Sequence, residues 1–406
     1  MIIKRFLRFL CSLQLTLILL VLSLVLVFLG TMAQEPLGLY ISQTRFFHSA
    51  FVDWASLVAA LKKSAQLLNI YVTPAQAEDV LRAPWIPVFP GGYLLGGALL
   101  LNLLAAHWQR FVFTRKKAGI FMTHVGLIIL ILGQLFTDQL SRESGMRLTE
   151  GETKNYSESD RRSELALLDI TDKEKDKVVA IPETLLSPGA LFPIPALPFS
   201  VRVTHYFEHS LITNRSGAFG SEAPQATVGA ATNYFAMPLP KVTDMNYRDV
   251  PTAIVEIVAA EGSLGRWLVS GYLDRAQAFS YKGREYAIVL RLQRFYLPFS
   301  LTLLDFRHDK YKGTDIPRNY SSQVRLQNST KNEDREVLIY MNSPLRYAGL
   351  TFFQASFDKR DDRVTILQVV RNPSWVAPYI ACILVAAGLI TQFLIHLTAF
   401  LKRRTT

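Results

Sequence analysis

Hydrophobic positions in this chain fall into four blocks separated by polar stretches, Phe9–Gly30, Pro90–Trp108, Ala118–Phe136 and Trp375–Phe400. Roughly 20 apolar residues suffice for a helix to cross the hydrocarbon core of a bilayer, so each block reads as a transmembrane helix. Between the third and fourth blocks, Thr137 to Ser374 is polar and carries many short β-rich runs. These include Ser200–Tyr206, Ala253–Val258, Tyr286–Leu292, Leu301–Phe306, Val337–Met341, Thr351–Ala355 and Val364–Val370. Turn signals such as Gly262–Gly265, Lys282-Gly283 and Lys312-Gly313 separate several of them, and prolines crowd the region from Pro182 to Pro198. That pattern predicts an all-β domain, a sandwich or open barrel. The fold class expected is an α+β membrane protein of four transmembrane helices, with a large extracytoplasmic β domain inserted between helices 3 and 4.

The remaining segments fit this plan. The first block is longer than the apolar core of a signal peptide and reads as an uncleaved span, although Thr31-Met32-Ala33 would pass as a cleavage site. Phe51, Trp54, Leu57, Val58 and Leu61 recur at helical spacing with Lys62 and Lys63 on the polar side, which predicts an amphipathic interfacial helix. Thr73-Pro74-Ala75-Gln76 reads as the start of another, with Thr73 as its cap. The divisions expected are residues 1–33 for the first span and 34–87 for the interfacial helices. Residues 88–137 hold spans 2 and 3 with their basic turn, 138–374 the β domain, and 375–406 the last span and basic tail.

Charge orients the chain. Half of the 406 residues are hydrophobic and the net charge is +11. The positive residues sit in short clusters beside the spans: Lys4, Arg5 and Arg8; Arg110, Arg115, Lys116 and Lys117; and Lys402, Arg403 and Arg404. No basic stripe with interleaved aromatics appears, so nucleic acid is excluded as a partner and the lipid bilayer is the partner these charges describe. By the positive-inside rule both termini and the Arg110–Lys117 turn are cytoplasmic, as in a multi-pass protein of the bacterial inner membrane. The two cysteines, Cys11 and Cys382, lie in or beside apolar blocks. The large insert therefore has neither a disulfide nor a C-x-x-C-H haem-attachment motif, and the chain is not itself a c-type cytochrome.

The candidate chemistry is imidazole. His124 lies about two turns inside the third span, and a titratable group at that depth is a functional candidate. It either hydrogen-bonds a neighbouring helix or serves as an axial ligand of haem iron. Gly119, Gly126 and Gly133 form a stripe on α-helical spacing, and His124 points nearly away from it. If the stripe packs on this chain's own helices, His124 faces a cavity, a partner or lipid. His107 and His396 lie near the cytoplasmic ends of their spans and are weaker candidates, readable as interface residues. Gln392 and His396 share one helix face. In the insert, His205 and His209 share a strand face if Ser200–His209 is a strand, while His308 stands apart. No third ligand accompanies them, and no metal other than haem iron is expected.

A set of short motifs resembles the ResB family, also called CcsB, of system II cytochrome c biogenesis. They are Leu29-Gly30-Thr31 with Gln34; Leu101-Asn102-Leu103-Leu104 leading to Gln109-Arg110; His124-Val125-Gly126-Leu127; Met341-Asn342-Ser343-Pro344-Leu345 with Tyr347 and Gly349; Phe353-Gln354-Ala355-Ser356; and Asn372-Pro373. The resemblance implies a subunit of a haem-attachment complex that helps carry haem b, bound transiently and non-covalently, across the membrane and scaffolds its delivery to apocytochrome c. It implies a partner of the CcsA type, a multi-span protein with a tryptophan-rich haem-binding segment. It also maps the family's membrane haem ligand onto His124, with Arg110, Arg115, Lys116 and Lys117 available to the propionates or explained by topology alone. No catalytic group is expected here; the chain would be a non-catalytic or co-catalytic subunit of a haem lyase complex. Where some members carry a cysteine near the end of the second span, this chain has Ala105-Ala106-His107, so no thiol role is expected there. Two other classes of function stay open: a membrane-anchored β-domain binding or assembly protein without haem, and a b-type haem subunit of a respiratory oxidoreductase, which would want two histidines at matching depth on facing helices.

Overall fold

The computed structural model describes residues 8–110, 114–173, 175–215, 225–242, 247–273, 275–311, 313, 317–358 and 360–404. The chain divides into two compact units. One holds the residues up to Ser141 and from Asn372 on, and the other comprises Arg142–Val242 with Tyr247–Arg371.

The first unit is helical. Its long helices are α1 (Leu13–Leu37), α4 (Gly92–Arg110), α5 (Ala118–Leu140) and α6 (Ala377–Arg404), with the shorter α2 (Trp54–Leu67) and α3 (Ala77–Arg82) between α1 and α4. Among the described residues three stretches are long and apolar enough to cross a membrane, Leu13–Leu37, Arg115–Leu140 and Ala377–Arg404. The apolar part of α4, Gly92–Trp108, is shorter. Its helix starts at Gly92 because the residues before it pair as a strand: β2 (Pro87–Pro90) runs antiparallel to β1 (Phe51–Asp53). A side chain at Gly91 or Gly92 would collide with the main chain of Ser49 or Phe47, so the passage from β2 into α4 admits only glycine.

Both expected helix starts in the segment before α4 move. Phe51 is on a strand, and α2 begins at Trp54 with Asp53 as its cap. Ser56 donates its N–H to Asp53 Oδ1 at 3.0 Å and its hydroxyl to Oδ2 at 2.7 Å, and Arg45 Nη1 stands 2.9 Å from Oδ2. Burial would raise the Asp53 carboxyl, but the Ser56 and Arg45 donors outweigh it and hold it below the usual carboxylate range. Likewise α3 begins at Ala77, past Thr73, where Glu78 and Asp79 put negative charge on the first turn.

Glycine decides the tightest helix pair. Gly119, Gly126 and Gly133 face α6: a Cβ on Gly126 would lie 2.7 Å from Val385 Cγ2 and 2.9 Å from the Ala381 carbonyl, and one on Gly133 would lie 2.7 Å from Ala377 Cβ. From the other side Gly388 lies against Thr123 and Gly119. The α1–α4 pair is tied by polar groups instead. Buried Asn102 donates Nδ2–H to the Leu10 carbonyl at 2.6 Å and accepts from Thr16 Oγ1 at 2.7 Å, and Cys11 Sγ donates to the Ala105 carbonyl at 3.1 Å.

The second unit is all β. In chain order its strands are β3 (Arg142–Thr149), β4 (Thr153–Asp169), β5 (Lys177–Pro182), β6 (Leu191–Pro193), β7 (Phe199–Phe207), β8 (Ser210–Asn214) and β9 (Tyr234–Pro238). They continue with β10 (Thr252–Ala259), β11 (Gly262–Ser270), β12 (Gln277–Tyr281), β13 (Arg284–Lys310), β14 (Pro317–Asn328) and β15 (Glu333–Tyr340). The last three are β16 (Leu345–Tyr347), β17 (Leu350–Asp358) and β18 (Asp361–Arg371). The main sheet runs β15-β14-β13-β4-β3-β18-β17-β16, with β12 on β13 and β5 on β4. Its two ends, β15 and β16, are consecutive in the chain and meet through the Tyr340–Ser343 bridge, so the sheet nearly closes into a barrel. That turn needs Asn342 at φ 64°, which a short polar side chain tolerates. Met146, Leu148, Leu301, Leu303, Val324, Leu326, Phe352 and Leu367 fill the interior.

A second sheet, β11-β10-β7-β6, forms a second core with the other halves of β4 and β13, where Val201, Val203, Val255, Ile257 and Trp267 meet Leu165, Leu167, Tyr286 and Ile288. The unit thus combines sandwich and barrel, and β4 and β13 serve both. Tyr286–Leu292 and Leu301–Phe306, separate in the sequence reading, are one strand of 27 residues whose register shifts between Tyr296 and Leu301. One ion pair of β13 is buried: Arg291 Nε donates to Glu164 Oε1 at 3.0 Å. Removing one member of such a pair strands the other, at a cost of about 3 kcal/mol. Glu164→Gln is therefore expected to speed hydrogen exchange at the β4 and β13 amides in the intact protein, by about a hundredfold if exchange follows local opening.

Candidate histidine site

Helices α4 and α5 are antiparallel neighbours joined through the basic turn Arg115–Lys117. Side-chain contacts join them at two levels, at His107–His124 and at Tyr93–Asp138. Fourteen residues separate Tyr93 from His107, and fourteen separate His124 from Asp138, so both pairs sit in one register, about 21 Å apart along the axes.

At the end nearer the basic turn, the rings of His107 and His124 meet edge to face, with centroids 4.7 Å apart and planes at 75°. His107 also lies 6.4 Å from the Phe121 ring. The His107 Nδ1 is 3.0 Å from the Leu103 carbonyl, which only accepts, so this nitrogen is the donor. His124 Nδ1 is buried with no hydrogen-bond partner within 3.5 Å among the described residues, although the Ile120 backbone one turn back interacts with the ring. The glycine stripe and His124 do point opposite ways: the stripe lies on α6, and His124 faces His107 of α4, a neighbour the sequence reading did not name. The signal was present, since the two histidines lie eight residues before Arg115 and seven after Lys117.

The remaining candidates are elsewhere. His396 is exposed, and its Nε2 lies 2.9 Å from Gln392 Nε2, which also donates to the Lys116 carbonyl at 3.3 Å. Arg115, Lys116 and Lys117 form an exposed helical turn at the start of α5. The side chain of Arg110 lies outside the described residues. In the β unit, β7 ends at Phe207, so His205 and His209 do not share a strand. His209 Nδ1 accepts the Val250 N–H at 2.9 Å, and His205 stacks beside Phe207. His308 packs between Tyr320 and Phe357, 5.0 and 4.2 Å from their ring centroids.

At the opposite end of the hairpin is a cluster that sequence reading missed. His48 stacks on Tyr93 with planes 12° apart, and its Nε2 is 3.4 Å from Asp138 Oδ1. Tyr93 donates its hydroxyl to Asp138 Oδ2, and Gln139 Nε2 donates to the Tyr93 hydroxyl at 2.9 Å. His48 follows a π-helical turn, Gln43–Phe47, and no periodicity in the sequence marks it.

The motifs read from the sequence hold structural positions. Gly30 leaves room for the Phe47 ring, and Asn102 ties α1 to α4. Asn342 turns β15 into β16, and Gly349, at φ 76°, turns β16 into β17. Gln354 accepts the buried Ser322 hydroxyl at 2.7 Å and donates to Thr365 Oγ1 at 2.9 Å. Tyr347 donates to Glu333 at 2.7 Å and accepts from Asn328 at 2.9 Å.

Comparison with known proteins agrees with those motifs. The model of the ResB-like family matches residues 275–366, from β12 into β18. Protein NrfI of Wolinella succinogenes is 27% identical over 311 residues, covering 73% of this chain and 29% of that protein. The chain thus spans less than a third of the length of this curated relative. Over residues 275–366, the strands that carry the late motifs, this chain is similar to the ResB-like family.

Proposed function

We propose that the chain is a haem-handling subunit of a cytochrome c biogenesis complex, in which His124 ligates haem in transit across the membrane. The observation that carries this reading is the His107–His124 contact: two imidazoles packed together between helices, one with a buried, unsatisfied ring nitrogen. Burying such a nitrogen without a partner costs free energy, which a bond to iron would offset. The residues present suit a haem cargo. Imidazole is there for the iron, and the exposed Arg115, Lys116 and Lys117 carry charge opposite to that of the propionates. The family match supports cytochrome c biogenesis as the setting, with a CcsA-type membrane partner and apocytochrome c as the acceptor.

In this reading α4 is the fourth span, both termini are cytoplasmic, and the β unit lies outside, as the basic clusters require. Cysteines placed at exposed Thr114 and Ser329 test it: an impermeant thiol reagent added to intact cells should label Ser329→Cys and reach Thr114→Cys only after lysis. The reverse pattern would overturn the topology. A resident b-type haem in electron transfer also gains support, since the matching-depth histidines it needs are present. Purification of the full chain followed by a haem assay tests both readings against a haem-free scaffold. Cargo haem should pass to a reduced apocytochrome, and resident haem should stay.

A further inference from the structure

We propose that the β unit carries a binding site of its own, for a carboxylate on a small apolar body, gripped by Arg248, Arg291 and Arg294. This site is separate from the histidine contact and does not depend on the haem reading. The three guanidinium groups line one pocket of about 440 Å³, between β4, β13 and the loops that precede β10 and follow β11. Pockets that take small molecules run from roughly 300 to 1,000 Å³.

A break in the sheet brings the arginines together. Leu292 of β13 pairs with Ser163 of β4 and Arg294 pairs with Glu158, so Ser159–Arg162 stand opposite Gln293 alone. The Ser159 hydroxyl oxygen accepts the Arg162 N–H at 3.1 Å and the Arg161 N–H at 3.4 Å, which holds this excursion in shape. On an unbroken strand, residues three apart point to opposite faces. Here Arg291 and Arg294 line the same pocket, together with Glu158 and Ser163, the two ends of the excursion. Bulges re-aim side chains in this way and are over-represented beside functional sites.

Hydrogen-bond donors are in surplus there, and the acceptors are taken. Glu158 is bound by Arg294 Nε at 2.9 Å, Glu164 by Arg291 Nε at 3.0 Å, and Asp249 accepts the Val242 N–H at 2.8 Å. Arg291 Nη2 reaches the Tyr296 hydroxyl at 3.3 Å, and the Arg294 guanidinium lies 4.0 Å over the Tyr156 ring. Arg291 Nη1, both Nη groups of Arg294 and the whole of exposed Arg248 make no hydrogen bond among the described residues. A guanidinium presents its donors as a rigid fork, which a carboxylate accepts bidentately. Glu158, Glu164 and Asp249 stand close by and disfavour a dianion such as phosphate. Leu168, Val250, Pro251, Leu273 and Val289 make the rest of the wall apolar, so the body behind the carboxylate is apolar too.

The test uses the full chain in lipid nanodiscs, titrated with hydrocinnamate by calorimetry against empty discs. Saturable binding is expected. Hydrocinnamamide keeps the apolar body without the charge and should bind about tenfold more weakly or worse, as should inorganic phosphate. Arg248→Ala removes an exposed side chain that holds nothing else in place, so the fold stays intact and affinity should fall by about tenfold. Ala276→Trp occupies the mouth of the pocket from an exposed position and should abolish binding. Tighter binding of N-acetylphenylalanine than of hydrocinnamate would assign the carboxylate to the end of a polypeptide, and the reverse to a free acid; both support the site. The proposal is overturned if the wild-type chain shows no saturable binding, if the amide or phosphate binds as tightly as the acid, or if Arg248→Ala binds like the wild type.

Discussion

Substituting His124 by alanine should lower the haem that co-purifies with the full chain by about tenfold or more, while the protein remains inserted in the membrane. Loss of a group that merely supports a metal ligand commonly costs 10–100-fold in affinity, so about tenfold is a floor for loss of the ligand itself. The change removes little else. His124 faces away from the α5–α6 packing, and its Nδ1 makes no hydrogen bond whose loss would strand a partner. Among the described residues its ring packs against His107, so the space left is bordered by another imidazole. Added imidazole should enter that space and restore part of the haem content and of cytochrome maturation. Wild-type haem content in the variant, at equal protein level, would make His124 a packing residue and remove the basis for haem handling.

Gly126→Leu should force α5 and α6 apart. The substituted Cβ would stand 2.7 Å from Val385 Cγ2 and 2.9 Å from the Ala381 carbonyl. The first of these can yield by a side-chain movement; the second is main chain, so α5 and α6 must separate. Between membrane helices close backbone approach is the main source of packing energy, and overpacking costs about 1–3 kcal/mol in a well-packed core. A lower thermal midpoint in detergent is expected. An unchanged midpoint would mean that the pair tolerates a wider spacing. Gly96→Leu is the matched control, since no atom lies within 4 Å of a Cβ there. In α4, Gly92 lies against the Phe47 main chain at the start of the helix, and Gly96 faces open space.

The apolar blocks and the glycine stripe were legible in the sequence because each depends on local quantities: run length and helical period. The family resemblance was legible for a related reason. Its residues sit at turns and buried polar crossings, such as Asn342, Gly349, Asn102 and Gln354, where few side chains satisfy the backbone or the hydrogen bonds. The β domain was recognised by its short alternating runs, but β3 and the first half of β4 were missed. Segments such as Thr153–Arg162 are polar throughout, and their strand state comes from pairing with β3 and β13 rather than from an apolar face. By itself, then, the sequence determined which segments are apolar helices, that a β domain separates the last two, and that His124 turns away from the glycines. Tertiary structure alone decided that β13 runs unbroken through both β cores, that His205 and His209 stay apart, and that His48 joins Tyr93 and Asp138. It also decided that His107 meets His124, because a ring contact between facing helices depends on the register at which they dock, and that register is set jointly by the turn, the glycine contacts and the polar clasp at the far end.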